Sequence, residues 1–365
     1  MVSVQDICKC IEDFAPLSYQ ESWDNCGLLV GNAKQTVDKL LLTVDITEAV
    51  VAEAVEMQAR MIVGHHPLMV SGIKQLTGSN DMQRAVMLAV KNDVAIYAAH
   101  TNMDSAPGGV SHRMAAKIGL TDLKVLSPQE SGLQKLVAFI PASHFEQVRQ
   151  AVFDAGAGHI GNYDSCGYSV EGKGTFRALD GAQPFVGRRD TLHTEPEIRF
   201  ETVFPSRRNR QIVAALMGSH PYEEPAFDIY ALQNVNSRVG LGLYGMLPAP
   251  VSEWQFLHQL KEIFSTPIIR HTHLKNRDIQ RVAVCGGSGS ALLSHAIRSQ
   301  ADAFVTADFK YHQFADAEQD ILVADIGHFE SEHFIKEIFY EIIVKKFPNF
   351  AVSFSKITTN PINYL

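Results

Sequence analysis

Met61-Ile62-Val63-Gly64-His65-His66-Pro67 is the stretch that decides how this chain folds. Met61-Ile62-Val63 is too short for a helix and reads as a buried strand. Two adjacent histidines follow it directly. Ending a core strand on two imidazoles costs polar burial, and it makes sense if both rings point at metal. Upstream, Leu40-Leu41-Leu42-Thr43-Val44 reads as a second buried strand. Asp45 and Thr47 are candidate caps for a helix from Glu48 to about Gln58. Downstream, the pattern predicts a helix over Asp81 to Lys91, a strand over Val94 to Ala99 and a helix over Ser111 to Ile118. Alternating strands and helices predict a mostly parallel sheet covered on both faces.

The last third repeats this grammar. Arg281 to Cys285 is a predicted strand, running through Gly286-Gly287-Ser288-Gly289-Ser290 into a helix from Ala291 to Ser299. Ala303 to Thr306 and Ile321 to Ala324 are further strands, and a long helix is expected to reach about Lys346. The middle differs. Lys135 to Pro141 is a strand and Phe145 to Ala155 a helix. Tyr163 to Val170 and Gly174 to Leu179 look like a hairpin. Ile198 to Val203 is a strand, Arg210 to Met217 a helix, and Ala226 to Tyr230 a last strand. The order β-α-β-β-(β)-α-β suggests a ferredoxin-like α+β domain. The expected organisation is a split α/β domain, residues 1–128 and 237–365, with an inserted domain at 129–236.

Composition narrows the function classes. The chain has 365 residues, 46% hydrophobic and 20% charged, ordinary for a globular protein. A net charge of −8 argues against a general nucleic-acid grip, which needs a basic face. Arg207-Arg208-Asn209-Arg210 is the best local basic patch and reads as a solvated turn and helix start. The five cysteines are an odd number without any CxxC pair, against a disulfide framework or a thiolate zinc site. The start of the chain lacks a basic, apolar leader, and no stretch reaches membrane-spanning length, so a cytoplasmic protein with no membrane contact is expected.

The candidate site lies where ligands bind in open α/β sheets, beyond the carboxyl ends of the strands. His65 and His66 follow one strand. His100-Thr101-Asn102-Met103-Asp104 follows another. His328 and Glu332, four residues apart on one helix face, follow a third. Taken singly, each motif has a bland reading as a turn or a surface histidine. Their joint placement is what argues for one shared site. His65, His66, Asp104, His328 and Glu332 make a nitrogen and oxygen donor set that suits zinc, iron or manganese without choosing among them. Five protein donors exceed what one catalytic ion usually takes and match two divalent cations sharing a carboxylate. Asp308 and His312 follow the strand ending at Thr306-Ala307 and are candidates for supporting or proton-transfer roles. His271-Thr272-His273 is a rival pair in a polar loop, expected to be solvent histidines. The Gly286–Gly289 loop offers either an anion cradle or tight strand-to-helix packing. Trp23-Asp24-Asn25-Cys26-Gly27-Leu28 either lines a pocket or forms a turn around a core Trp.

GHHP, HTNMD, His328-Phe329-Glu330-Ser331-Glu332 and the WDNCGLLVG stretch together resemble the NIF3-like family, also called GTP cyclohydrolase 1 type 2 homologs. The resemblance covers both halves of the split domain. Ser219-His220-Pro221-Tyr222-Glu223-Glu224-Pro225-Ala226 also resembles part of the PII/CutA-like insertion of some bacterial members. The resemblance implies two divalent metals, with His66 and Asp104 on the first, His65 and His328 on the second, and Glu332 bridging. It further implies a toroidal homohexamer with the sites facing an internal cavity.

Three functions follow as expectations. The first is a metal-dependent hydrolase that opens the purine ring of GTP or a related nucleotide, with metal-bound water attacking C8. The second keeps the metals but acts on a phosphoester, using the Gly286–Gly289 loop. The third is non-enzymatic, a metal-dependent hexameric scaffold whose PII-like insert senses an effector.

Overall fold

A computed structural model describes residues 2–130, 132–317 and 320–365. The chain divides into two compact units, Met1–Gln129 with Ser237–Leu365, and Glu130–Asn236. The larger unit is a mixed α/β structure framed by two sheets rather than one. In the first, the strands Ala351–Phe354, Lys39–Leu42, Met61–Gly64 and Ala95–Ala98 run parallel in that order, and Gly27–Val30 closes the edge antiparallel. In the second, Asp278–Ser288, Ala303–Ala307 and Leu322–Asp325 are parallel neighbours. Arg270–His271 and Val235–Ser252 pair antiparallel at either side of them.

Alternation along the parallel strands explains this layering. Leu40, Leu42, Met61, Val63, Ala95 and Tyr97 face a core shared with Val282, Val284, Val305, Leu322 and Ala324 of the second sheet. Leu41, Ile62 and Ile96 face the other way, onto the helices Glu48–Glu56 and Asp81–Lys91. Phe304 and Val323 do the same for the second sheet. Strands buried on both faces read as unbroken apolar runs, as these do. Each Å² of apolar area such strands bury contributes about 25 cal/mol to folding.

Several local predictions need correction. Thr47 caps the helix at Glu48 by accepting from the Val50 amide, whereas Asp45 has another task. The helix expected to run on to Lys346 breaks into His328–Glu332 and Ile335–Lys346. The strand Ala351–Phe354 went unread, yet it ties the chain's end to Lys39–Leu42.

The smaller unit has the order β-α-β-β-α-β. Its strands Phe227–Ala231, Leu133–Pro141, Leu192–Pro205 and Gly167–Arg177 lie side by side in that order, all antiparallel. The helices Phe145–Asp154 and Asn209–Ser219 cover one face over Leu136, Ala138, Ile140, Phe200 and Phe204. The hairpin expected over Tyr163 to Leu179 is instead one continuous strand, Gly167–Arg177. Gly172 and Gly174 lie where the two expected strands would meet. They sit mid-strand opposite Glu197 and Glu195, and a Cβ on Gly174 would run into the Glu197 carboxylate.

Candidate metal centre

Both sheets of the larger unit turn the carboxyl ends of their parallel strands toward one cluster. His65 and His66 leave the strand Met61–Gly64, and His100 leaves Ala95–Ala98. Asp104 lies on the short helix Thr101–Ser105. From the second sheet, Asp308 follows Ala303–Ala307, and the helix His328–Glu332 follows Leu322–Asp325.

Each imidazole is fixed through Nδ1. His65 Nδ1 lies 2.8 Å from the Ala99 carbonyl, which assigns it the proton. His66 Nδ1 lies 2.7 Å from Asp45 Oδ1, and Asp45 Oδ2 accepts from the Thr359 hydroxyl at 2.6 Å. His328 Nδ1 lies 2.7 Å from Asp308 Oδ2, and His100 Nδ1 3.0 Å from Asp24 Oδ1. Such partners set the tautomer and aim of a metal-binding imidazole. Asp308 holds its place with φ at 59°, a left-handed conformation uncommon outside glycine.

With Nδ1 held, Nε2 turns inward. His65 Nε2 lies 3.6 Å from Asp104 Oδ1 and 3.8 Å from Glu332 Oε2. His66 Nε2 and His328 Nε2 lie 3.1 and 3.2 Å from the same Glu332 oxygen and 3.3 Å from each other. Two groups of donors result, His65–Asp104–Glu332 and His66–His328–Glu332, with Glu332 common to both. The resemblance divides the same donors otherwise, His66 with Asp104 and His65 with His328. The Ala99 carbonyl holds the His65 ring and Asp45 the His66 ring. A third group, His65–His66–His100, brings the His100 ring within ligating reach of the other two.

The donors fit a cation. His65 Nε2, Asp104 Oδ1 and Glu332 Oε2 are buried and make no hydrogen bond among the described residues, Glu332 Oε2 facing only the imidazole nitrogens of the cluster. Orphaned buried polar atoms are costly, and three converging on one point call for a shared ligand. Electrostatics agree. Burial and the nearby Glu332 carboxylate push Asp104 up to about 7, the mark of two acids sharing one space. Glu332 is held well below the usual range, against the pull of burial, by the rings of His328, His65 and His66. Burial opposes charge on His66 and His328 too, yet their carboxylate partners push them up to about 9 and about 11.

Other predicted residues fall elsewhere. His312 is exposed, its ring edge-on to Tyr311 at 5.3 Å, and it joins none of the donor groups. His271 and His273 are exposed, with His271 in an edge strand. The Gly286–Gly289 loop reads as close packing. The Gly287 amide donates to Ser331 Oγ at 2.8 Å, and a Cβ on Gly287, at φ 59°, would strike the Glu332 carboxylate. Asp24 and Asp45 were missed as partners of His100 and His66. Register held the clue, because Leu42 pairs with Val63, which sets Asp45 level with His66.

Fold and site together define an α/β protein with a buried histidine–carboxylate cluster that can hold metal. The chain matches the Duf34/NIF3 (NGG1p interacting factor 3) family over residues 2–361, and it belongs to that family. It is 37% identical over 366 residues to a GTP cyclohydrolase 1 type 2 homolog of Halalkalibacterium halodurans, covering 99% of this chain and 98% of that protein. A Bacillus subtilis protein of the same name is 34% identical over 373 residues, covering 100% and 99%. Among solved structures, a Bacillus cereus protein related to NIF3 superposes with a TM-score of 0.81 at 34% identity, covering 100% of this chain and 99% of that one. Staphylococcus aureus protein SA1388 gives 0.81 at 26% identity with the same coverage. No helix of the described residues is long and apolar enough to cross a membrane.

Proposed function

We propose that the protein is a dinuclear, divalent-metal hydrolase acting on the purine ring of GTP or a related nucleotide. The observation that carries the metal reading is the convergence of three partnerless buried donors, His65 Nε2, Asp104 Oδ1 and Glu332 Oε2. The relatives' shared name, GTP cyclohydrolase 1 type 2 homolog, supports the choice of substrate. His65, Asp104 and Glu332 would hold one ion, and His66, His328 and Glu332 the other. Zinc, iron or manganese suits the donors. When bound, such ions would supply Lewis acidity and a more acidic water for hydrolytic opening of a purine's five-membered ring. The protein's own part is positioning. Asp45, Asp308 and the Ala99 carbonyl hold the imidazoles rigid. Glu332, at 3% side-chain exposure, keeps its shared oxygen out of bulk water. His100, anchored on Asp24, stands at the rim where a substrate proton could be received.

The test is elemental analysis of purified protein, followed by prolonged incubation of the metal-loaded form with GTP. Two ions per chain and a ring-opened product are expected. Loaded protein that leaves GTP unchanged defeats the hydrolase reading. Release of phosphate from a phosphodiester panel would favour the phosphoesterase instead, although the Gly287 amide is already engaged by Ser331.

A second reading has its own observation. The smaller unit carries a cavity of about 760 Å³ lined by Phe139, Phe176, Phe185, Glu197 and Tyr222. A PII/CutA-like sensor on a homohexameric scaffold would use such a cavity for a small effector. Deleting 129–236 separates the two. A catalyst keeps metals and turnover, whereas a sensor loses its regulated response.

A further inference from the structure

Trp23 is 57% exposed, and its ring lies edge-on to His100 with centroids 5.8 Å apart. His100 in turn is 5.3 Å from His65 and 5.2 Å from His66. The indole is therefore the next ring outward from the donor cluster. A large aromatic in water is unfavourable, and an ordinary loop would let it fold back onto apolar surface. This turn does not allow that. The Asp24 amide donates to the Glu21 carbonyl at 3.0 Å. The Asp24 carboxylate, 0% exposed, grips His100 Nδ1 and both the amide and the hydroxyl of Thr101. Thr101 Oγ1 also accepts from the Glu21 amide at 2.9 Å, Asn25 Nδ2 donates to the Met69 carbonyl at 2.7 Å, and Gln20 Oε1 accepts from the Cys26 amide at 2.9 Å. Residues on both sides of Trp23 are strapped down while its side chain is held out at the rim.

We infer that Trp23 is an aromatic recognition subsite beside the metal centre, binding substrates that carry a planar heteroaromatic ring. Stacking needs a π face held in place, and it tolerates any base. Preorganisation by the Asp24–Thr101–His100 network lowers the ordering cost of binding. The inference rests on the reading of the cluster as the reaction centre, and it specifies what the centre takes, a flat ring rather than a sugar phosphate alone.

The chain has two tryptophans, so Trp254→Phe leaves Trp23 as the sole indole reporter. In the full-length, metal-loaded protein, acrylamide should quench Trp23 readily. Guanosine and GMP should then quench its emission saturably and shield it from acrylamide, whereas ribose 5-phosphate and inorganic triphosphate should not. By calorimetry, Trp23→Ala should weaken guanosine binding about ten-fold or more with metal content unchanged, and Trp23→Phe should restore most of it. Protection of Trp23 from acrylamide before ligand is added would mean a second copy of the chain covers it, and overturns the inference. So would undiminished guanosine affinity in Trp23→Ala, or no guanosine binding to the parent. Guanosine bound through Trp23 but never opened would sink the hydrolase reading alone. Turnover of GTP with an unchanged KM in Trp23→Ala would sink the subsite alone.

Discussion

His65 and Asp104 have side-chain exposures of 0% and 13%, while His66 and His328 have 24% and 33%. The two donor groups share Glu332 but not their surroundings. The inner group is fixed by a main-chain carbonyl, Ala99, which cannot change charge. The outer group is fixed by two carboxylates, Asp45 and Asp308, which can. The difference teaches a division of labour. The inner position has little access to solvent and suits an ion held for good. The outer one is more open to solvent and suits an ion that meets substrate and exchanges more freely.

The strongest way to break this comparison is to remove the shared donor. Glu332→Ala should abolish both ions, since each group keeps only two protein donors, and elemental analysis reads the result directly. Asp104→Ala should spare the outer ion and His328→Ala the inner one. Loss of both ions from either variant would show that the groups are not separable. Next comes support of the outer group. Asp45→Ala frees the His66 ring, and loss of such a partner typically costs about 10–100-fold in metal affinity. Competition with a chelator should show that loss at the outer ion and leave the inner one untouched. Equal weakening at both would contradict the separation.

Protons compete with cations for the same atoms, so the groups should also differ in pH dependence. Asp104 is pushed up to about 7. Above that value it is an open ligand, and below it a proton displaces metal, so inner affinity should be flat above about 7 and fall as pH drops. His66 is pushed up to about 9 and His328 to about 11. Their protons must leave before metal enters, so outer affinity should still be rising with pH between 7 and 9. Per proton displaced, the slope approaches about ten-fold per pH unit. Identical profiles, measured by metal titration across that window, would remove the distinction.

How much of this was legible in the sequence follows from how local each signal is. The parallel strands were readable because each is an apolar run buried on both faces. The cluster was readable because His65 and His66 follow such a run directly and Asp104, His328 and Glu332 lie a few residues beyond another. What escaped depends on neighbours distant in sequence. Asp24 meets His100 across 76 residues, and Thr359 meets Asp45 across 314. The strand Ala351–Phe354 needs Lys39–Leu42 beside it, and its half-exposed residues give no apolar run. The long strand Gly167–Arg177 escaped because Gly174, kept for clearance from the Glu197 carboxylate, cannot be told in sequence from a glycine kept for a turn.

His312 provides the smallest expected effect and a control on the whole comparison. Sequence position made it a candidate proton carrier, four residues past Asp308. The structure gives the two residues different fates. Asp308 turns back to His328, whereas His312 lies exposed in the helix Tyr311–Ala317, edge-on to Tyr311. His312→Ala should therefore leave both ions in place, with unchanged affinity and unchanged pH profiles. Exposed substitutions of this kind usually shift stability by no more than about 0.5 kcal/mol. Asp308→Ala, made alongside, should weaken the outer ion as Asp45→Ala does, because it releases the same kind of Nδ1 anchor. A metal defect in His312→Ala matching that of Asp308→Ala would mean that the helix reaches the cluster in the working protein, and that the outer group is less open than its exposures imply.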